Sequence, residues 1–219
     1  MLMKINFLGD SITQGAGASC VENNYVSLVG KMLGCEARNY GVGGARIARQ
    51  VKLMDWEMPN QDYVTRCDRM DDDADMVFVF GGTNDYGHGD AELGDIDGMD
   101  EYTFCGALNS LLAKLSARYG KKKLHFILPL HRYNEDNVYG EGNKEKAGAP
   151  LSTYVALIKE ILQKHGIPTL SFDAEFPIPA INDGTDGLTV DGLHPNDTGY
   201  RILAEKICEY IRSIENGQR

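Results

Sequence analysis

Short β-rich runs alternate along the chain with longer segments of helical period, and this alternation restricts the fold more than anything else in the sequence. Residues 3–8 (MKINFL), 36–40 (EARNY), 76–80 (MVFVF), 124–129 (LHFILP) and 169–172 (TLSF) read as strands. Between them, apolar residues recur at the spacing that puts them on one helical face. Tyr25, Leu28, Val29, Met32 and Leu33 form one stripe, and Phe104, Leu108, Leu111, Leu112 and Leu115 a second. Leu151, Tyr154, Val155, Ile158, Ile161 and Leu162 form a third, and Tyr200, Leu203, Ala204, Ile207 and Ile211 a fourth. All four read as core-facing stripes. Strands alternating with helices imply βαβ crossovers, hence an α/β fold with a mostly parallel sheet covered on both faces.

A chain of 219 residues holds one sizeable core and is short for two, so a single domain spanning 1–219 is expected. A charged fraction of 25% and a hydrophobic fraction of 42% lie in the ordinary globular range. No run approaches the unbroken apolar length of a membrane span, so no membrane insertion is expected. The net charge of −10 argues against nucleic acid or an anionic membrane surface as partner, because phosphate binding needs clustered cations. The one basic run, Lys121 to Lys123, lies between a helical stretch and a strand and reads as a solvated turn. Five scattered cysteines without a CxxC pair speak against a disulfide framework or a zinc site. Cys35, Cys105 and Cys208 lie in or beside apolar segments and read as buried thiols. With a first strand starting so near the N-terminus and no signal-like segment before it, a reducing cytoplasm is the expected compartment.

Two inserts interrupt the alternation, at 85–101 and 132–149, both polar and Gly-rich. Each follows a strand and belongs at the rim where open α/β sheets keep their ligand sites. Four short motifs fall on the same rim: GDSI at 9–12, NYGVGGA at 39–45, GGTND at 81–85 and DGLHP at 191–195. Alone, each reads as a turn. Placed together, they supply the parts of an acyl-transfer site. Ser11 is a nucleophile that needs a base to take its proton, and His194 is that base. Asp191, three residues earlier, is placed to fix the imidazole tautomer through one tight turn. Backbone amides of Ser11 and Gly44 and the side-chain amide of Asn84 are donors for the oxyanion of a tetrahedral intermediate, with Gly41 and Gly43 as alternatives to Gly44. Neither a GxxxxGK[ST] loop nor a well-placed GxGxxG appears, which leaves a nucleotide-binding reading weak.

These residues together resemble the SGNH hydrolase superfamily, the GDSL-type esterases and lipases, in order and approximate spacing along nearly the whole chain. Ser11 is similar to the nucleophile of that family's first block, Gly44 to the oxyanion glycine of its second, and Asn84 to the oxyanion asparagine of its third. Asp191 and His194 match the DxxH pair of its fifth; Ile12 stands where the family's nominal motif has leucine. The resemblance implies a flavodoxin-like three-layer α/β/α sandwich with five parallel strands. It also implies ester hydrolysis through an acyl-serine intermediate, without metal or organic cofactor.

The remaining candidates are less sharply defined. Asp10 reads as a brace for the Ser11 loop, and Thr83 and Asp85 as shaping the Asn84 turn. The acidic series Asp90, Glu92, Asp95, Asp97, Asp100 and Glu101 lacks the spacing of a calcium loop and reads as solvated. His88, His131, Arg132 and Tyr133 fall in rim loops and are candidates for substrate contact, His131 foremost. Trp56, the single tryptophan, is a candidate for lining an acyl or sugar pocket. The expected substrate is a small-molecule ester of a short acyl group, acetyl esters of carbohydrates in particular. A lysophospholipase or acyl thioesterase is the alternative within this chemistry; a non-catalytic carbohydrate-binding protein on a hydrolase fold is the alternative outside it.

Overall fold

In the computed structural model, which describes residues 2–53, 55, 58–142, 144–177 and 187–217, the apolar run at the N-terminus becomes a central strand. β1 (Lys4–Gly9) is flanked by β2 (Glu36–Gly41) and β3 (Met76–Phe80), with β4 (Leu124–Ile127) and β5 (Thr169–Leu170) beyond β3. The order β2-β1-β3-β4-β5 is that of the flavodoxin-like doubly wound sheet, and every pairing is parallel. β1, β3 and β4 are buried almost throughout, as continuous apolar strings require. β2, spelled EARNYG, is half-exposed along its length and lies at one edge, where a polar strand costs least. β4 and β5 are shorter than the sequence reading. Pro129 cannot donate to a ladder, and β4 stops at Ile127.

The helices are α1 (Ser11–Gln14), α2 (Tyr25–Leu33), α3 (Tyr63–Arg66), α4 (Thr83–Gly87), α5 (Phe104–Tyr119), α6 (Leu151–His165) and α7 (Asp197–Gly217). α3, α5 and α6 pack with Leu8, Val77, Val79, Leu124 and Phe126 on one face of the sheet. α2 and α7 pack with Ile5, Phe7, Phe78, Phe80 and Ile127 on the other. The result is a three-layer α/β/α sandwich. All five members of the α5 stripe and all five of the α7 stripe are buried, each large one contributing about 1.5–3 kcal/mol. In α2 the buried face is rotated from the expected one: Tyr25, Val26 and Val29 are buried while Leu28, Met32 and Leu33 are only partly covered. Asn24 caps α2 by accepting from the Ser27 amide, and Gly34 ends it in the left-handed conformation.

Among the cysteines, Cys67, Cys105 and Cys208 are buried, Cys35 is half-buried and Cys20 exposed, all five as free thiols. No helix among the described residues is long and apolar enough to cross a membrane.

Candidate active site

Parallel register brings the motif-bearing loops together. Gly9 at the end of β1 is paired with Gly41 on β2 and Phe80 on β3, so the residues two to four positions beyond these ends share one rim. The rim lies at the switch point of the strand order, between β1 and β3. Ser11 opens α1 one residue after Asp10, whose carboxylate caps the turn by accepting from the Ile12 amide at 2.9 Å. Tyr200 fastens α1 from below, donating to the carbonyls of Ile12 at 3.0 Å and Ala16 at 2.7 Å. Thr13 and Tyr25 share a buried hydroxyl pair at 2.8 Å.

The fourth motif reaches this rim from a distance of 183 residues. His194 Nε2 lies 2.9 Å from Ser11 Oγ, and His194 Nδ1 lies 2.7 Å from Asp191 Oδ2. Gly192, between Asp191 and His194, adopts φ +78° with its amide donating to Thr189 Oγ1, which makes the tight turn the DxxH spacing requires. Burial raises the Asp191 pKa, but hydrogen bonds from the His194 side chain and amide outweigh it and bring the carboxyl down to about 2.

The glycine loop after β2 faces the serine. Val42 donates to the Gly9 carbonyl at 3.1 Å, and Gly43 donates to Gln14 Oε1 at 2.8 Å. Gly44 follows at φ +73°, a conformation that favours glycine. Gly41 is an integral end of β2, pressed against the α1 backbone. Asn84, in the buried helix α4, donates from Nδ2 to the Ala45 carbonyl at 3.0 Å, which turns its amide group toward the glycine loop. Asp85 next to it accepts the amides of Ile47 at 2.9 Å and Ala48 at 2.9 Å, tying α4 to the same loop. The structure therefore brings Ser11, Asp191 and His194 into one hydrogen-bonded chain, with Gly44 and Asn84 joined through Ala45.

Sequence reading found Asp10 as a brace for these parts and missed Arg66. Arg66 is buried beneath the rim and donates to the carbonyls of Gly9 and Tyr40, the last turns of β1 and β2; burial lowers its pKa. Asp10 is buried too, and burial lifts its carboxyl to about 6 despite the Ile12 amide. Nothing in the sequence pattern marks Arg66, because a buried cation set in a polar segment reads as surface.

The rim-loop candidates separate in the structure. His131 Nδ1 lies 2.9 Å from Glu135 Oε2, an i,i+4 pairing within its own loop. Arg132 is buried and donates to Thr83 Oγ1 at 3.1 Å and Glu141 Oε1 at 2.9 Å, so it is a brace for α4. The Tyr133 amide donates to the Gly192 carbonyl at 2.8 Å, linking the second insert to the DxxH turn. Asp90, from the acidic series, pairs with buried Arg46 at 2.5 Å. Trp56 lies outside the described residues.

A model of the GDSL-like lipase/acylhydrolase family matches residues 7–202. The chain belongs to this family. As a GDSL-like hydrolase it acts on ester bonds. Among solved structures, a protein from Lactobacillus plantarum is 30% identical, with 97% of each chain covered and a TM-score of 0.79. A lipase/acylhydrolase from Enterococcus faecalis is 20% identical, covering 97% of this chain and 96% of that one, with a TM-score of 0.64. A carbohydrate acetylesterase family member from Sinorhizobium meliloti is 15% identical, covering 97% and 98%, with a TM-score of 0.63. The last two likenesses carry the fold alone. No curated protein matches the chain.

Proposed function

We propose that this GDSL-like hydrolase cleaves small-acyl carboxylic esters, acetyl esters of carbohydrates in particular, through an acyl-serine intermediate. The observation that carries the reading is the continuous chain from Ser11 Oγ through His194 to Asp191, at 2.9 and 2.7 Å. His194 Nε2 takes the Ser11 proton as Oγ attacks the ester carbonyl, and Asp191 stabilises the imidazolium that forms. The oxyanion receives the Ser11 and Gly44 amides and the Asn84 amide hydrogen not engaged by Ala45. Collapse breaks the carbon–oxygen bond to the alcohol, which leaves with the proton returned by His194. Water then attacks the acyl-serine by the same route in reverse, and the acid is released.

Two things support the short-acyl, carbohydrate reading over a lysophospholipase or thioesterase. The loops beside the triad are polar, and Asp191 is half-exposed. A protein named as a carbohydrate acetylesterase family member shares the fold across nearly its whole length. A non-catalytic sugar-binding role is disfavoured because Ser11, His194 and Asp191 lie within hydrogen-bonding distance of one another.

The test uses the intact chain with acetyl, butyryl and octanoyl p-nitrophenyl esters, and a fluorophosphonate probe. Turnover falling with acyl length, and labelling abolished in Ser11→Ala, are the expected results. Equal labelling of Ser11→Ala overturns the nucleophile, and preference for octanoyl over acetyl overturns the substrate class.

A further inference from the structure

Behind the glycine loop lies a second polar cluster that shares no member with the triad. The imidazole of His88, itself buried, has Nε2 3.2 Å from the Gly44 carbonyl oxygen. A carbonyl only accepts, so the bond requires the proton on Nε2. On the other side of the ring, Nδ1 faces the Glu141 carboxylate at 3.7 Å. Glu141 is held firmly in turn: its Oε1 receives Arg132 at 2.9 Å and its amide donates to the Gly87 carbonyl at 2.8 Å. The adjoining His88 and Arg132 side chains keep the Glu141 carboxyl down at about 2, against the opposing effect of burial. Arg132 and Glu141 both come from the second insert. That insert thus grips α4 and reaches the glycine loop through one imidazole.

The position of that contact is what gives it consequence. Gly44 has no side chain, and its φ of +73° leaves the peptide units on either side free to swing unless something holds them. The unit after Gly44 is held at two points, His88 on the Gly44 carbonyl and the Ala45 amide on the Val42 carbonyl at 3.2 Å, and Asn84 holds the next unit at the Ala45 carbonyl. The Asn84 bond is made by a group with its own duty toward the oxyanion. His88 makes no hydrogen bond to Ser11 or His194 among the described residues. It sits where it sets the direction of a neighbouring amide.

We propose that His88 is a positioning residue for ester hydrolysis, fixing through the Gly44 carbonyl the angle at which the Gly44 amide meets the oxyanion, with Glu141 of the second insert beside the imidazole. This rests on the roles given above to Ser11 and Gly44. An amide donor displaced by a fraction of an ångström loses much of its worth in the transition state and little in the ground state, so the effect belongs in kcat.

The test compares His88→Gln, His88→Asn and His88→Leu in the full chain, with p-nitrophenyl acetate turnover, fluorophosphonate labelling rate and thermal unfolding. Glutamine carries its amide nitrogen about as far from Cβ as Nε2 lies, and asparagine does not. The glutamine variant is expected to keep kcat within about threefold, while asparagine and leucine lower it about tenfold or more with KM little changed, the labelling rate falling in parallel. If leucine at this buried site prevents folding, the glutamine and asparagine pair decides alone. Equal kcat for these two, or a loss carried by KM, overturns the assignment. A wild-type chain that neither turns over nor labels overturns the reading of Ser11; a wild-type chain that labels while all three variants keep kcat overturns only the role of His88.

Discussion

Asp191 holds His194 twice, with Oδ2 at 2.7 Å from the ring Nδ1 and Oδ1 accepting the His194 amide at 2.8 Å. Oδ1 also accepts the Leu193 amide at 3.0 Å, so one carboxylate both folds the turn and orients the base. Asp191→Asn preserves an acceptor for the turn but places an NH2 against Nδ1, which drives the ring to the wrong tautomer. Its kcat is expected to fall by about 10⁴-fold, and Asp191→Ala, which leaves the ring free to take either tautomer, by less. Because the Asp191 carboxyl sits at about 2, its protonation sets no limb of the wild-type pH–rate profile between pH 4 and 9. An Asn variant as active as wild type counts against the orienting role.

Asn84 commits one amide hydrogen to Ala45 at 3.0 Å, and the proposed reaction gives the other to the oxyanion. Asn84→Ala is expected to lower kcat by about 10²–10³-fold with KM little altered, as for loss of one oxyanion donor. Asn84→Asp faces the Ala45 carbonyl with an acceptor and is expected to fare worse. Steady-state kinetics on p-nitrophenyl acetate distinguish this from a binding role, which moves KM instead.

The helical stripes of α5, α6 and α7 were legible in the sequence because a helix on a sheet buries one face, and burial writes its period into the residues. Ser11 was legible because it lies just beyond the end of β1, and parallel strands bring their carboxyl ends to one rim; Asp191 and His194, 21 and 24 residues beyond Leu170, were legible only through their DxxH spacing. Arg66, Tyr200 and the His88–Glu141 pairing were not legible, since each acts through partners 26 to 188 residues away, and no local period records such a partner. His131 is a different case, its Glu135 partner standing only four residues on in the same loop.

The sequence left Gly41, Gly43 and Gly44 as alternatives, and steric space separates them. A Cβ on Gly41 would lie 2.1 Å from the Gln14 amide nitrogen and 2.5 Å from the Thr13 carbonyl carbon, both backbone atoms. Gly41→Ala is therefore expected to destabilise by about 3 kcal/mol, lowering Tm by roughly 6–12 °C. A Cβ on Gly43 would meet only the flexible Gln14 side-chain oxygen at 3.0 Å and lie 4.0 Å from Ser11 Cβ. Gly43→Ala should unfold within a few degrees of wild type, and thermal scans of both variants check the contrast.

Two buried groups set opposing pH dependences. Burial raises Asp10 from 3.8 to about 6, so the folded state binds the extra proton and stability falls as pH rises from about 4 through 6. Burial lowers His125 from 6.5 to about 4, with its ring stacked on Phe78 at 4.9 Å, so here the unfolded state binds the extra proton and stability falls as pH drops from 6.5 through 4. Each effect is on the order of 3 kcal/mol, and over most of this window they cancel. Asp10→Asn keeps an acceptor for the Ile12 amide and removes the first dependence. Its stability relative to wild type is expected to improve by about 3 kcal/mol between pH 4 and pH 7. His125→Phe removes the second, and its stability relative to wild type should improve by a similar amount between pH 7 and pH 4. Urea unfolding at pH 4, 5, 6 and 7 reads both differences directly, since every other carboxylate is common to the three chains. Parallel stability curves for wild type and variants would show that burial of these groups does not govern the pH response.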